Sequence, residues 1–533
     1  MLTTQPGVSS TADAMANTNA PSITPIAPAS NLEALPYSAA IAQWFADPAE
    51  RYSTPGLEAG RTDFTTNAEI ATLLRELSSH ATQGVRLGAI AAGSSQNGQP
   101  IWALIATRAN AITPLALEEN QRPTVMIVAG QQGTDHAPTE ALLAMAKELG
   151  EGGLLSPLLQ QLNIVLVPRA NPDGFELQQP HTADGTDLRQ DHLVLKTPEA
   201  RMLAKLARDY RPAVLVDAGE FNALEPTLSR FGAVRANDAG LQYAVTPNGH
   251  EFITKAAREW LHEPTVLALS QAQLRADWAF ENIGADAQAG FSMGTLQPTT
   301  LRNASSLKNV ASLAVLSRGA DIQRSHIQRR VHTHVKALTA VLQSSYQRAA
   351  NLRQIHSFVV RDVASQACKG PLVTHAQPLR EQREVSLLDA QTAQTIQPQV
   401  AWQSALGMQQ PTKLMQACGY WLSANAVQAA ERLNMLGVNV QRIAELSPLR
   451  IEAFQATAGT QSLPAAPTVQ RLPAQMDATP GSYYVSMNQP LAYLAAAALE
   501  PDTPFSYFSH GVLGGLNEVA RVVSLPNLVF DEE

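Results

Sequence analysis

Apolar residues in 64-FTTNAEIATLLREL-77 recur at Ile70, Leu73, Leu74 and Leu77, the spacing of a helix with one buried face. Beyond it the period shortens. The runs 84-GVRLGAIAAG-93 and 99-QPIWALIAT-107 read as a hairpin-like pair of strands. Strands and helices then alternate: 124-TVMIVAG-130, a helix over about 139–149, 163-NIVLVPRA-170, a helix in 197-TPEARMLAKLARDY-210, and 213-AVLVDA-218. Thr197 is placed to cap its helix, with Pro198 at the first helical position and Glu199 in the first turn. A later strand, 310-VASLAVLS-317, joins the same set. This alternation predicts an α/β fold whose mixed, largely parallel sheet is flanked by helices.

A long helical run, 321–355, closes this part of the chain. Its cluster of Arg324, His326, Arg329, Arg330, His332 and His334 invites a binding-site reading. His332 and His334 are two apart and face different directions on a helix, so a solvated face is the expectation. After Ser365 the composition turns to Gln and Pro with no clear period until about residue 400. Two similar units follow, 419-GYWLSANAVQAAERLNMLGV-438 and 482-SYYVSMNQPLAYLAAAALEP-501, each reading strand, Ser-x-Asn, helix. They predict a small second α/β domain, with 461-QSLPAAPTVQRLPAQMDATPG-481 as an exposed linker or loop. The expected division is a disordered leader over 1–35, an α/β domain over 36–355 and a C-terminal α/β domain over 366–533.

Composition narrows the function classes. The formal net charge is −8 with no polybasic run, which argues against nucleic acid and membrane surfaces as partners. The first Lys or Arg is Arg51, so the Ser-, Thr-, Ala- and Pro-rich start lacks the positive region of a secretory signal. The longest apolar run, 491-LAYLAAAALE-500, is far short of the roughly 20 residues that span a bilayer. Two cysteines, Cys368 and Cys418, exclude a disulfide scaffold. One bridge and two separate thiols are equally consistent with them, which leaves the compartment open.

Four strands end in polar text: Gln131-Gln132-Gly133-Thr134-Asp135-His136, Arg169-Ala170-Asn171-Pro172-Asp173-Gly174, Asp217-Ala218-Gly219-Glu220, and Ser317-Arg318-Gly319. Parallel strands bring such ends together in one crevice. The segment 185-GTDLRQDHLVLKTPEAR-201 adds Asp187, Arg189, Gln190 and His192. The order GQQGTDxxxTEALL, RANPDG, GTDLRQD…TPEAR, VDAGEF and SLAVLSRG, over roughly residues 65–345, resembles the zinc carboxypeptidase family (carboxypeptidase A-like metallopeptidases). The 419–533 region resembles the extra C-terminal domain of some bacterial members. The resemblance makes an exported location plausible.

That resemblance also marks departures. The family holds zinc with a His-x-x-Glu pair and a later His, leaving one position for water. Here those positions are Gln132, Asp135 and Gly219, and the family's general-base Glu corresponds to Leu316. The family's Asn-Arg carboxylate clamp reads Arg189-Gln190, and no Arg lies in 175–188 where the family keeps one for the oxyanion. The expectation is therefore a catalytically inactive carboxypeptidase-like protein with no catalytic residue and no metal, possessing a crevice able to bind a peptide or protein C-terminus. Arg189, Arg169 and Arg318 are the candidate carboxylate contacts, although a structural role is the expectation for the last two, each following a strand and placed to pair with Asp173 or Asp217. Two alternatives stand beside it. One is an active metallocarboxypeptidase or amidase holding zinc through substitute ligands from Asp135, His136, His181, His192, Asp217 and Glu220; the simpler reading has the histidines on the surface or in hydrogen bonds and Asp217 bracing backbone amides. The other is a structural or assembly role with an empty crevice.

Overall fold

The computed structural model describes residues 37–79, 84–283, 290–457 and 468–531. The expected leader lies outside them. Eight strands form the main sheet: β1 (Arg86–Ser94), β2 (Pro100–Thr107), β3 (Thr124–Ala129), β4 (Asn163–Val167), β5 (Val214–Phe221), β6 (Ala239–Tyr243), β7 (Ala276–Trp278) and β8 (Ala311–Arg318). Their order is β1-β2-β4-β3-β5-β8-β6-β7. The four central strands, β4-β3-β5-β8, are mutually parallel, while β1, β2 and β6 introduce the antiparallel pairings. This is the mixed, largely parallel sheet that the pattern predicts.

Both faces of that sheet are covered, which is why β3 is buried along its whole length. Alternate residues serve opposite cores: Met126, Val128 and Leu215 face one, Val125, Ile127, Val214 and Val216 the other. On the first face lie α3 (Pro198–Tyr210) and α4 (Leu301–Leu307); on the second, α1 (Asn67–Ser79), α2 (His136–Glu148) and α5 (Ile327–Gln347). Thr197 caps α3 by accepting from the Ala200 amide, as its sequence position implies.

The charged cluster in 324–334 is not a solvated face. Arg330, His332 and His334 are buried because α5 is wedged between α2 and the sheet. Arg330 pairs with Glu220, Arg329 with Asp238, and the His332 Nδ1 lies 2.7 Å from the Tyr52 hydroxyl.

The stretch after Ser365, for which the sequence pattern predicts no element, is also ordered into strands. Pro371–Glu384 and Gln399–Met415 form a long antiparallel ribbon, whose second strand pairs with Phe291–Ser292 beside the main sheet. Much of it is exposed, so its sequence carries no one-sided apolar period. A six-stranded sheet follows, in which Gly419–Leu422 and Tyr483–Ser486 are paired and each leads to a helix. Val469–Ala478, inside the supposed linker, is a strand of that sheet paired with Ser447–Ala456. Cys368 and Cys418 form a disulfide at the foot of the ribbon.

Candidate functional site

The carboxyl ends of β3, β5 and β8 open into a crevice of about 490 Å³ whose walls include Gln131, Gln132, Asp135, Arg189, Asp217, Gly219 and Leu316. The loop after β3 is held by residues that the sequence marks as its frame. Gly130 has φ +62, and a Cβ on Gly133 would fall 2.0 Å from the Gly174 carbonyl carbon, so only glycine fits there. The Thr139 hydroxyl donates to the Pro168 carbonyl at 2.8 Å. Glu140, fully buried, accepts from the amide and hydroxyl of Thr65 and from the Thr54 hydroxyl. Asn171 caps the turn after β4 by accepting from the Gly174 amide.

Beneath the crevice lies a filled ionic lock. Glu220 accepts two 2.9 Å bonds from Arg330, one from the Ser317 hydroxyl and two from the His136 and Ala137 amides. Those amides are the first donors of α2, so Glu220 both caps the helix and joins it to α5. It has no free oxygen for other work.

Inside the crevice, Asp135 turns toward backbone. One carboxylate oxygen accepts from the Glu220 amide at 3.1 Å and the other from the Gln132 amide at 3.3 Å. Burial, aided by the nearby Glu220 charge, pushes its pKa well above the usual carboxylate range. Gly219 sits directly opposite Leu316 in the β5–β8 register. A Cβ at Gly219 would lie 3.1 Å from Leu316 Cδ2 and 3.3 Å from an Asp135 oxygen. Three of the departures at the ligand and general-base positions, Asp135, Gly219 and Leu316, thus meet at one point.

A second line of bonds runs along the wall. His192 Nε2 lies 2.6 Å from Gln131 Oε1, and Gln131 Nε2 donates to Asp217 at 2.6 Å. Burial lowers the His192 pKa to about 3, so the ring is neutral and donates to the amide. Asp217 therefore meets a side-chain amide, not the backbone amides expected of it. His181 is exposed, and His136 stacks on Phe64 away from the crevice.

The candidate arginines separate. Arg189 lines the crevice and pairs with Asp187. Arg169 is buried elsewhere, donating to Asn67 and to the Thr65 carbonyl. Arg318 is buried with its guanidinium 3.5 Å over the Phe45 ring. Neither pairs with Asp173 or Asp217; Asp173 instead accepts from Ser95 and the Asn97 amide. Two further cations, Arg235 and Arg302, line the crevice and were not anticipated. Neither belongs to a motif, and only their position after folding identifies them.

Among the described residues, no group of three His, Cys, Asp or Glu side chains is placed to hold a metal ion. The positions corresponding to the family's ligands offer a neutral amide, a carboxylate already held by two backbone amides, and a glycine. That donor set does not fit zinc, which takes imidazole, thiolate or a free carboxylate. Residues 70–211 match the zinc carboxypeptidase family model. Over that segment the chain is similar to zinc carboxypeptidases. Carboxypeptidase 2 of Trichophyton tonsurans is 23% identical over 417 residues, covering 73% of this chain and 74% of its own. Carboxypeptidase D of Anas platyrhynchos is 27% identical over 191 residues, 29% of this chain and 13% of that one. Among solved structures, a metallo-carboxypeptidase from Burkholderia cenocepacia superposes with a TM-score of 0.40 at 13% identity, covering 53% of this chain and 70% of that one.

Proposed function

We propose that this family member has lost peptide hydrolysis and uses the crevice to hold the C-terminus of a peptide or protein without cleaving it. The observation that carries this reading is the contact at the centre of the crevice. Leu316 faces Gly219 across the β5–β8 register, with Leu316 Cδ2 3.1 Å from where a Cβ would stand. By the family resemblance these are the general-base and third-ligand positions, and an apolar contact there neither holds a metal nor moves a proton. Arg189 supports the binding half, because a half-exposed guanidinium in a crevice is suited to a carboxylate.

The test is thermal stability with peptides that differ only in a free or amidated C-terminus. A ligand that binds only the native state raises its melting temperature. The reading expects a shift with the free acid, little with the amide, and recovery of both peptides intact. A shift of equal size with both, or shortening of the free peptide, overturns it.

A further inference from the structure

We propose that Arg302 is a second anion-binding residue of the crevice and that, together with Arg189, it selects a peptide whose last residue carries a carboxylate side chain. This rests on the carboxylate-binding reading above and names the ligand class for the same site.

Arg302 lies in the first turn of α4 and lines the crevice. Among the described residues its side chain makes no hydrogen bond and no ion pair, and its Nε is buried without a partner. The nearby acids do not neutralise it by contact. Asp217, close enough to interact electrostatically, is engaged by the Gln131 amide, and Glu281 lies exposed on the rim. A desolvated cation without a partner is unfavourable, so nearly all buried charges in folded proteins are paired. An anionic group entering the crevice supplies the missing partner.

Arg189 is within electrostatic reach of Arg302 and repels it. Its Nε and Nη2 hold Asp187, leaving Nη1 uncommitted. Two cations facing one crevice are best satisfied by two anionic groups on one ligand. A peptide ending in Glu or Asp has that form, with its α-carboxylate and side-chain carboxylate a few bonds apart. Arg235, the third cation, is already used: it donates to the Phe280 carbonyl and lies 3.9 Å over that ring. The cavity of about 490 Å³ falls within the roughly 300–1,000 Å³ typical of sites for small ligands.

The experiment uses the full chain and fluorescent pentapeptides identical except for a final Glu, Gln or Leu, each as free acid and amide, with N-acetylglutamate as a small-ligand arm. Anisotropy should show the Glu free acid binding about 10- to 100-fold more tightly than the Gln free acid, the difference expected of a charge-assisted contact. Arg302→Gln should abolish that preference while keeping preference for free acid over amide; Arg302→Lys should retain part of it. Since the Arg302 side chain supports no other described residue by a hydrogen bond, both variants should melt like the wild type. Free-acid preference without Glu preference overturns this inference and leaves the carboxylate-binding reading standing. No binding by any peptide overturns both. Binding of N-acetylglutamate as tightly as the peptide supports the paired-cation chemistry but overturns a peptide as its source.

Discussion

Replacing Arg330 with Met tests the lock beneath the crevice. The pair is almost completely desolvated, with side-chain exposures of 1% for Arg330 and 0% for Glu220. Met roughly preserves the apolar stem but removes both 2.9 Å charge-assisted bonds. Glu220 is then left with only the Ser317 hydroxyl and two α2 amides as partners. Removing one member of such a pair costs about 3–5 kcal/mol, because the survivor is an uncompensated buried charge. With a urea slope of about 3 kcal/mol per molar, the unfolding midpoint should fall by about 1–1.7 M. Adding Glu220→Gln removes the stranded charge yet retains an acceptor for the α2 amides. The double variant should therefore recover about 1–2 kcal/mol relative to Arg330→Met alone. A loss below about 1 kcal/mol for Arg330→Met, or a double variant as unstable as the sum of the singles, would show that Arg330 and Glu220 are not coupled as a buried pair.

Other consequences can be measured separately. Burial lowers the pKa of His136, His192 and His334 to about 3, so all three fold neutral, whereas in the unfolded chain they titrate near the ordinary 6.5. The unfolded state then binds more protons as pH falls from about 6.5 towards 3, and stability is present above that window and lost within it, by about 1.4 kcal/mol per pH unit per histidine. Unfolding curves at pH 7, 6 and 5 should show this fall, and His192→Gln should reduce proton uptake by about one; equal stability at all three pH values contradicts it. The disulfide joins cysteines 50 residues apart, and replacing both with Ala should destabilise the chain by about 2–4 kcal/mol in denaturant unfolding. Gly133→Ala should cost more than about 3 kcal/mol because backbone blocks its Cβ, while Gly219→Ala, which meets a movable leucine, should cost about 1 kcal/mol or less; comparing their unfolding midpoints checks the contrast.

Local rules account for what the sequence discloses. The alternation of buried strands and capped helices identifies β3 to β5, and Thr197 caps α3 through the bond its position implies. Thr139 and Glu140 are likewise readable as frame residues, since their partners fix the loop after β3. The burial of Arg330 was not readable: its partner Glu220 is 110 residues away, and an isolated charge pattern looks the same on a solvated helix. Arg302 sits on a seven-residue helix without a motif, and its significance lies in the partner it lacks. The expected linker over 461–481 contains the strand Val469–Ala478, which tolerates Pro473 because it is at the edge of its sheet. The ribbon escaped notice because strands exposed along much of both faces need no alternation.

The proposed loss of hydrolysis can be measured on the protein itself. Zinc content measured on the purified full chain after incubation with zinc and removal of excess, alongside release of C-terminal amino acids from a peptide panel, tests it most directly. A crevice that binds without hydrolysing should give far less than one zinc per chain and no amino-acid release above a buffer blank, with or without a chelator. One zinc per chain accompanied by chelator-sensitive release would contradict it.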